Sequence, residues 1–584
     1  MITAFTNIAS MPETSQIAVP LDGVEHIRTT TVDERRRNGR VYTPDHLARF
    51  VLNVAGYGLE NLERTPLLDP ACGAGVFLQA AIVVIAEDMK QRGLELREAR
   101  TVRALLEVVE ANVYGVDLDP IACTLARTAM RATLADLLNK PIKSGYLDRN
   151  IVQGDFLLDG DVIAAGVPAA CAFIVGNPPY VSTTRLATRY KNRLRARFCT
   201  SSGRLDLYTA FMERSLELLA DGGRLALITP DKFLTSQTSA PLRHHMLSGA
   251  ALRVVARFAS HRVFADAATV PCVAVFQQGG ERGNVTLLQC SITNEGRAVS
   301  IEDRSTIPEA SLGKAPWHLH SRDARTLIAR LEAGHPTVKQ LARRVSAGPA
   351  SGRDRLFVFA ENAVPSVEPE LLHPAIRGRD IEAFELRDPK LLALAPYRFD
   401  DSGAGEVVHL KDFPRAARYL RAHRTTLESR HCVRVWERPW YGWHDPLITE
   451  LTRVPKILVP DVANSSRFAV DTGRFLPLHS AYYLLPRSGV DLFFLVGVLN
   501  SFVAEFIVRT LSPVVKDGFS RYRQQFVAAL PVPLGSAALT KGIARAARDA
   551  DRERVDDLVA ELFALSDAER EAVARKIPRS PDGQ

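Results

Sequence analysis

Ala172-Phe173-Ile174-Val175-Gly176-Asn177-Pro178-Pro179-Tyr180 is the stretch on which the reading of this chain turns. An uncharged run of five residues, ended by an asparagine and two prolines, reads as a buried parallel strand halted at its carboxyl end. In open α/β sheets that edge is where ligands bind. Pro178 and Pro179 stiffen the turn, so the Asn177 amide and the carbonyl of Pro178 form a fixed pair of acceptors. Such a pair suits a flat –NH2 group. Tyr180 adds a ring able to stack on a heterocycle, and an ordinary Pro-Pro turn is the competing reading.

Upstream, a short strand ending in an acid occurs three times. Pro66-Leu67-Leu68-Asp69 runs into Pro70-Ala71-Cys72-Gly73-Ala74-Gly75 and then a helix. Glycines at this point allow a tight turn and close approach to a ligand. The G-x-G spacing is not the six-residue dinucleotide fingerprint, and no lysine follows as in a phosphate-binding loop. The second strand, Val113-Tyr114-Gly115-Val116-Asp117, is followed by Leu118-Asp119-Pro120. A carboxylate at Asp117 can accept both hydroxyls of a ribose, whereas Asp119 reads as the N-cap of a helix with Pro120 at its first position. The third is Asn150-Ile151-Val152-Gln153-Gly154-Asp155-Phe156. Each acid alone could be a helix cap; their order and βα spacing point to a nucleotide-like ligand.

These motifs resemble those of the S-adenosylmethionine-dependent amino-methyltransferases, above all the enzymes acting on adenine N6 in DNA, over residues from about 31 to 280. The resemblance implies an α/β fold, a Rossmann-like class I methyltransferase sheet with helices on both faces, and S-adenosyl-L-methionine as cofactor. It implies that Asp69, Pro70, Ala71, Gly73 and Gly75 hold the amino-acid part of the cofactor. Asp117 and Leu118 would lie at the ribose, and Asp155 and Phe156 at the adenine. Tyr42 and Thr43, within Val41-Tyr42-Thr43-Pro44, would reach over the methionine end; a Thr43 helix cap ahead of Pro44 is the alternative. Asn177, Pro178, Pro179 and Tyr180 would form the catalytic loop, and Phe264 the aromatic on the far side of the target base. A core phenylalanine at 264 is an equal rival.

Further along, Asp206-Leu207-Tyr208 opens an amphipathic helix through Leu219, and Arg224 to Pro230 reads as a strand after the Asp221-Gly222-Gly223 turn. The segment Val263 to Phe276 reads as the last hairpin of the sheet. From about residue 316 the βα rhythm fades. Gly348 to Arg355, His373 to Ile381 and Pro439-Trp440-Tyr441-Gly442-Trp443 alternate arginine, glycine and aromatics, a composition suited to phosphates and bases. Residues 340–535 resemble TaqI-like target-recognition domains, carried by Val454 to Asp461, Val498-Leu499-Asn500-Ser501 and Gly518 to Tyr522. Arg353, Arg355, Arg377 and Arg379 are the DNA-contacting candidates, more for phosphates than for bases. Expected domains are therefore a tail at 1–30, a catalytic methyltransferase domain at 31–315, a mixed α+β C-terminal DNA-recognition domain at 316–540 and a helical tail at 541–584. In that tail Val555, Leu558, Val559, Leu562 and Leu565 share one apolar face.

Composition bounds the rest. The 584 residues carry a net charge of +8 with 46% hydrophobic and 24% charged residues, ordinary for a globular protein and permissive of a polyanionic partner. Seven cysteines lie scattered without a C-x-x-C pair, so neither a disulfide framework nor a zinc site is expected, and a cytoplasmic location fits. No run reaches the roughly 18 apolar residues of a membrane helix. The reading is a site-specific DNA adenine-N6 methyltransferase that flips its base out of duplex DNA, the modification component of a bacterial restriction–modification or related defence system, with an orphan methyltransferase as the alternative to such a system. It is expected to work as a nucleoid-associated monomer, without a metal. About 40 residues precede the Tyr-Thr-Pro segment, so any cognate endonuclease is expected as a separate chain. Methylation of RNA or of a protein glutamine, or a catalytically silent DNA-binding subunit, are the alternatives.

Overall fold

The computed structural model describes residues 43–575 apart from 59–61, 159–161, 164, 183–185, 202–205, 259–262, 264–269, 294–297, 318, 320–321, 400–402 and 513–518. They form two compact units, divided between Arg322 and Asp323.

The first unit is built on nine strands. β1 (Leu67–Asp69), β2 (Val113–Asp117), β3 (Ile151–Gln153), β4 (Cys171–Gly176) and β5 (Leu219–Pro230) run parallel. β7 (Pro271–Gln278) lies antiparallel between β5 and β6 (Ala250–Phe258). β8 (Asn284–Ile292) pairs parallel with β6, and β9 (Val299–Pro308) closes the edge antiparallel to β8. The order is β3-β2-β1-β4-β5-β7-β6-β8-β9. The β6–β7 hairpin is thus not the last of the sheet, as expected from sequence. β9 escapes notice because its centre, Glu302-Asp303-Arg304, is polar and exposed.

Parallel strands covered on both faces must be apolar throughout, and side chains alternate between two cores. Leu67, Phe173, Val175, Ala226 and Ile228 face one core. Helices α1 (Asp45–Ala55), α2 (Val76–Gln91), α3 (Ala99–Asn112) and α4 (Pro120–Leu138) cover that face. Leu68, Ile174, Leu225 and Leu227 face the other, under α5 (Tyr208–Glu217) and α6 (Ala240–Gly249). The expected helix through Leu219 stops at Glu217 because Leu219 already pairs with Cys171 in β5. Strand order reverses between β1 and β4, so their loops part at the carboxyl edge and leave a crevice there.

The second unit holds two four-stranded sheets. One orders Ala342–Ala347, Ala481–Pro486, Lys456–Pro460 and Ala469–Asp471; the other orders Val358–Ala360, Leu391–Leu394, Leu372–Ile376 and Leu476–Pro477. Within the first, Lys456 and Asp471 form a fully buried ion pair. Asp471 also accepts from the backbone N–H of Arg474 and Phe475. Burial lowers the Lys456 pKa against the pull of Asp471. Towards the carboxyl end lie the helices α7 (Leu492–Asn500), α8 (Phe502–Leu511), α9 (Ala537–Arg548), α10 (Arg552–Leu562) and α11 (Asp567–Arg575). α7 and α9 meet so closely that a Cβ on Gly497 would lie 2.6 Å from Ile543 Cγ2. Val555, Leu558, Val559 and Leu565 are buried in this core, so the carboxy-terminal helices pack rather than extend. Among the described residues no single helix is long and apolar enough to cross a membrane.

Candidate active site

The crevice is lined by loops whose side chains are fixed by backbone geometry. Asp69 ends β1 at 1% exposure and accepts from the Ala71 N–H at 3.1 Å. Burial pushes its carboxyl up to about 8, with the nearby Asp117 adding to the rise. The glycine loop follows, with Gly73 at φ +53° and Gly75 at φ +85°. A Cβ at Gly75 would be tightly placed, 3.1 Å from Ala126 Cα, so the helix beneath would have to give by a few tenths of an ångström. Cys72 lies beneath the loop, and burial beside Asp69 and Asp117 drives its thiol pKa far up, which disqualifies it as a nucleophile.

Asp117 ends β2 and draws the two loops together. Its Oδ2 accepts from Gly73 N–H at 2.9 Å and its Oδ1 from Asp119 N–H at 2.9 Å. Asp119 caps α4 through the Ile121 N–H, with Pro120 opening the helix, as the sequence implied. Leu118, which follows Asp117 in the chain, and Ile121 are 68% and 51% exposed. An apolar surface beside a sugar-sized acceptor is what a nucleoside needs, so the residues present fit an adenosyl group. Asp155 accepts from the N–H groups of Leu157 and Leu158. Phe156 is buried and stacks on Phe211 with centroids 5.5 Å apart, so one face of its ring is already taken.

Gly176 brings β4 against β1, where a Cβ would come within 2.5 Å of Asp69 Oδ1. Asn177 follows. Its Nδ2–H donates to Thr43 Oγ1 at 3.0 Å, while its Oδ1 is buried without a partner. Thr43 therefore does not cap α1; Pro44 stands at the N-cap, φ −62° and ψ 148°, and the helix start has no side-chain cap. The threonine is instead part of the site. Pro178 is buried and Pro179 half-buried. The Tyr180 hydroxyl donates to the Ile228 carbonyl at 3.1 Å, and its ring meets Tyr208 edge-on at 6.4 Å. Burial raises the Tyr180 phenol far beyond its usual range, so it stays neutral. Sequence reasoning missed the anchoring roles of Thr43, Ile228 and Tyr208, because none lies near Asn177 or Tyr180 along the chain. Tyr42 and Phe264 lie outside the described residues.

The four arginine candidates all belong to the second unit. Arg353 and Arg355 are exposed on the helical turn Asp354–Phe357 and its cap. Arg379 is exposed beside Asp380 at 3.7 Å, and Arg377 is half-buried, with its backbone N–H held by Asp380. In the Pro439–Trp443 segment Trp440 and Tyr441 are half-buried, so the aromatic surface its composition suggested is only partly open. Trp443 is fully buried, with its indole N–H bonded to the Leu394 carbonyl at 3.0 Å. The exposed aromatic is Trp436, 49% exposed beside Val435 at 60%, with Arg438 over its ring at 5.4 Å.

The fold and the loop are like those of S-adenosylmethionine-dependent methyltransferases, whose cofactor the residues present fit. More particularly, residues 111–264 match the Eco57I restriction-modification methylase family, and residues 373–532 match the TaqI-like C-terminal specificity domain. The two matched stretches follow one another in that order. It is 28% identical to the type II methyltransferase M.XhoI of Xanthomonas vasicola, over 93% of this chain and 99% of that protein. It is 27% identical to the type II methyltransferase M.BstVI of Geobacillus stearothermophilus, over 92% and 98%. Among solved structures it is similar to the type IIL restriction-modification enzyme MmeI in complex with DNA, with a TM-score of 0.61 and 13% identity. That alignment covers 96% of this chain and 78% of that one.

Proposed function

We propose that the protein methylates adenine N6 at a short site in duplex DNA, as the modification component of a restriction–modification system. The observation that carries the reading is Asn177: an amide fixed by Thr43 with its oxygen buried and unpaired. A buried acceptor without a partner costs about 1–3 kcal/mol, and a bound –NH2 group relieves it. The relatives named type II methyltransferases favour a DNA substrate over RNA or a protein amide, and the TaqI-like specificity domain supplies a second reason.

When bound, S-adenosylmethionine supplies an electrophilic methyl group on a sulfonium. The chain's own residues do the remainder. An exocyclic amine attacks poorly because its lone pair is delocalised into the ring. Hydrogen bonds from its two N–H groups to Asn177 Oδ1 and the Pro178 carbonyl favour tetrahedral geometry and stabilise the positive charge that develops. Tyr180, tethered to Ile228, offers its ring to the base, worth about 1–3 kcal/mol per stacked contact. That offsets much of the few kcal/mol needed to flip a base from the duplex. Asp69 and the Gly73–Gly75 turn would hold the amino-acid end of the cofactor, and Asp117 with Leu118 its ribose and adenine. The amine proton leaves to water after transfer.

The test is to incubate the purified chain with S-adenosylmethionine and unmethylated bacterial DNA and to map modified bases by single-molecule sequencing. N6-methyladenine confined to one short motif is expected. Unmodified adenine with the cofactor still bound would redirect the reading to RNA or protein amides.

A further inference from the structure

Cys199, Glu213 and His245 stand in three separate elements of the first unit, yet they place one donor atom each within 4.8 Å of one another. Cys199 opens the short turn Cys199–Ser201, Glu213 lies on α5 and His245 on α6. Cys199 is the one exposed cysteine; the other six are buried. Its Sγ lies 3.4 Å from His245 Nδ1. Glu213 is 5% exposed and already locked in place, with Oε1 accepting from the Cys199 N–H at 3.0 Å and Oε2 from the Thr200 N–H at 2.8 Å. Each carboxylate oxygen keeps a further lone pair. The neighbouring guanidinium groups of Arg197 and Arg214 turn to Glu217 instead.

Donor chemistry and spacing agree. Bonds of about 2.3 Å to sulfur and about 2.0 Å to nitrogen, opened to the tetrahedral angle, separate the two donors by about 3.6 Å. A thiolate, an imidazole and a carboxylate together suit a borderline-soft divalent ion, whereas calcium and magnesium take oxygen donors. The geometry points to a zinc-class divalent cation site formed by Cys199, Glu213 and His245, with water as the fourth ligand. The incoming ion displaces the thiol proton to solvent. The absence of a C-x-x-C pair hid the site in the sequence, since Glu213 and His245 lie 14 and 46 residues from Cys199.

The site has a structural consequence near the catalytic loop. Ser182 and Asp206 pair across the base of the segment that leaves Tyr180, and Cys199 lies inside that segment. A metal there would tie it to α5 and α6. This inference stands apart from the substrate assigned above.

The experiment is a Co2+ titration of the full chain under reducing conditions, paired with alkylation of Cys199 in the presence and absence of Zn2+. One equivalent of Co2+ should produce a thiolate-to-cobalt absorption band, and Zn2+ should shield Cys199 in peptide mapping. Cys199→Ser should abolish the band. His245→Gln should weaken the affinity by at least the roughly 10–100-fold that loss of an outer partner already costs. Retained S-adenosylmethionine binding would show that both variants remain folded. A band that survives Cys199→Ser, or alkylation at equal rates with and without Zn2+, would overturn the site.

Discussion

Asn177 keeps an amide oxygen out of water with nothing to accept from, a cost that the –NH2 group of the proposed substrate would relieve. Asn177→Ala removes both the cost and the acceptor. By comparison with loss of one charge-stabilising group in other active sites, methyl transfer should fall about 10²–10³-fold. Cofactor binding and thermal stability should hold, which radiolabel transfer and calorimetric titration will read. Asp69 supplies a second test. Its folded carboxyl sits near 8 against the ordinary 3.8, so the folded state holds this proton more firmly than the unfolded chain. The associated stability is complete below about pH 4 and drains away as pH rises toward 8. Asp69→Asn, which keeps an acceptor for Ala71, should therefore match the parent in acid and gain on it near pH 8 in thermal scans. Single residues were legible in the sequence where the partner is local. Asp119 capping α4 follows from Asp-Pro alone. The bond between Thr43 and Asn177 spans 134 residues, and no local pattern encodes it; the same holds for the Tyr180 hydroxyl on Ile228.

At the scale of elements, β1, β2 and β4 were legible because an apolar run stopped by an acid or a proline has few other meanings. The polar strand β9 was not, since an edge strand needs no apolar face. The two loop glycines differ in a way the sequence conceals. Gly73 and Gly75 both have positive φ, but a Cβ at Gly73 would meet nothing within 4 Å, whereas one at Gly75 would press on α4. An alanine in this backbone region costs about 1–2 kcal/mol, and Gly75→Ala adds the tight contact. Thermal shift with and without S-adenosylmethionine should show Gly75→Ala losing more stability and more cofactor affinity than Gly73→Ala. In the second unit, Asp471→Ala would leave Lys456 buried without its counter-charge, a loss of about 3–5 kcal/mol. Denaturant unfolding should register that drop while S-adenosylmethionine still binds, and pairing the change with Lys456→Met should recover most of it.

For the whole molecule, the proposed function gives the two units separate tasks. A chain ending at Arg322 should bind S-adenosylmethionine as the parent does and lose sequence preference on DNA, measured by cofactor titration beside methylation mapping. Unchanged site preference in that fragment would remove the second unit from recognition. The point of division matters for a reason unrelated to chemistry. The outer rim of the large sheet is β9, with Glu302, Asp303 and Arg304 set along it. Unpaired rims of sheets recruit further strands from neighbouring chains, and charge on the last strand discourages this. A fragment stopped just short of Val299 would strip that guard and bare the nine-residue β8, in which Val285, Leu287 and Leu288 are buried. Such a fragment should self-associate into insoluble material, while the one ending at Arg322 stays dispersed; the charged edge strand is what keeps the large sheet from pairing with its own copies.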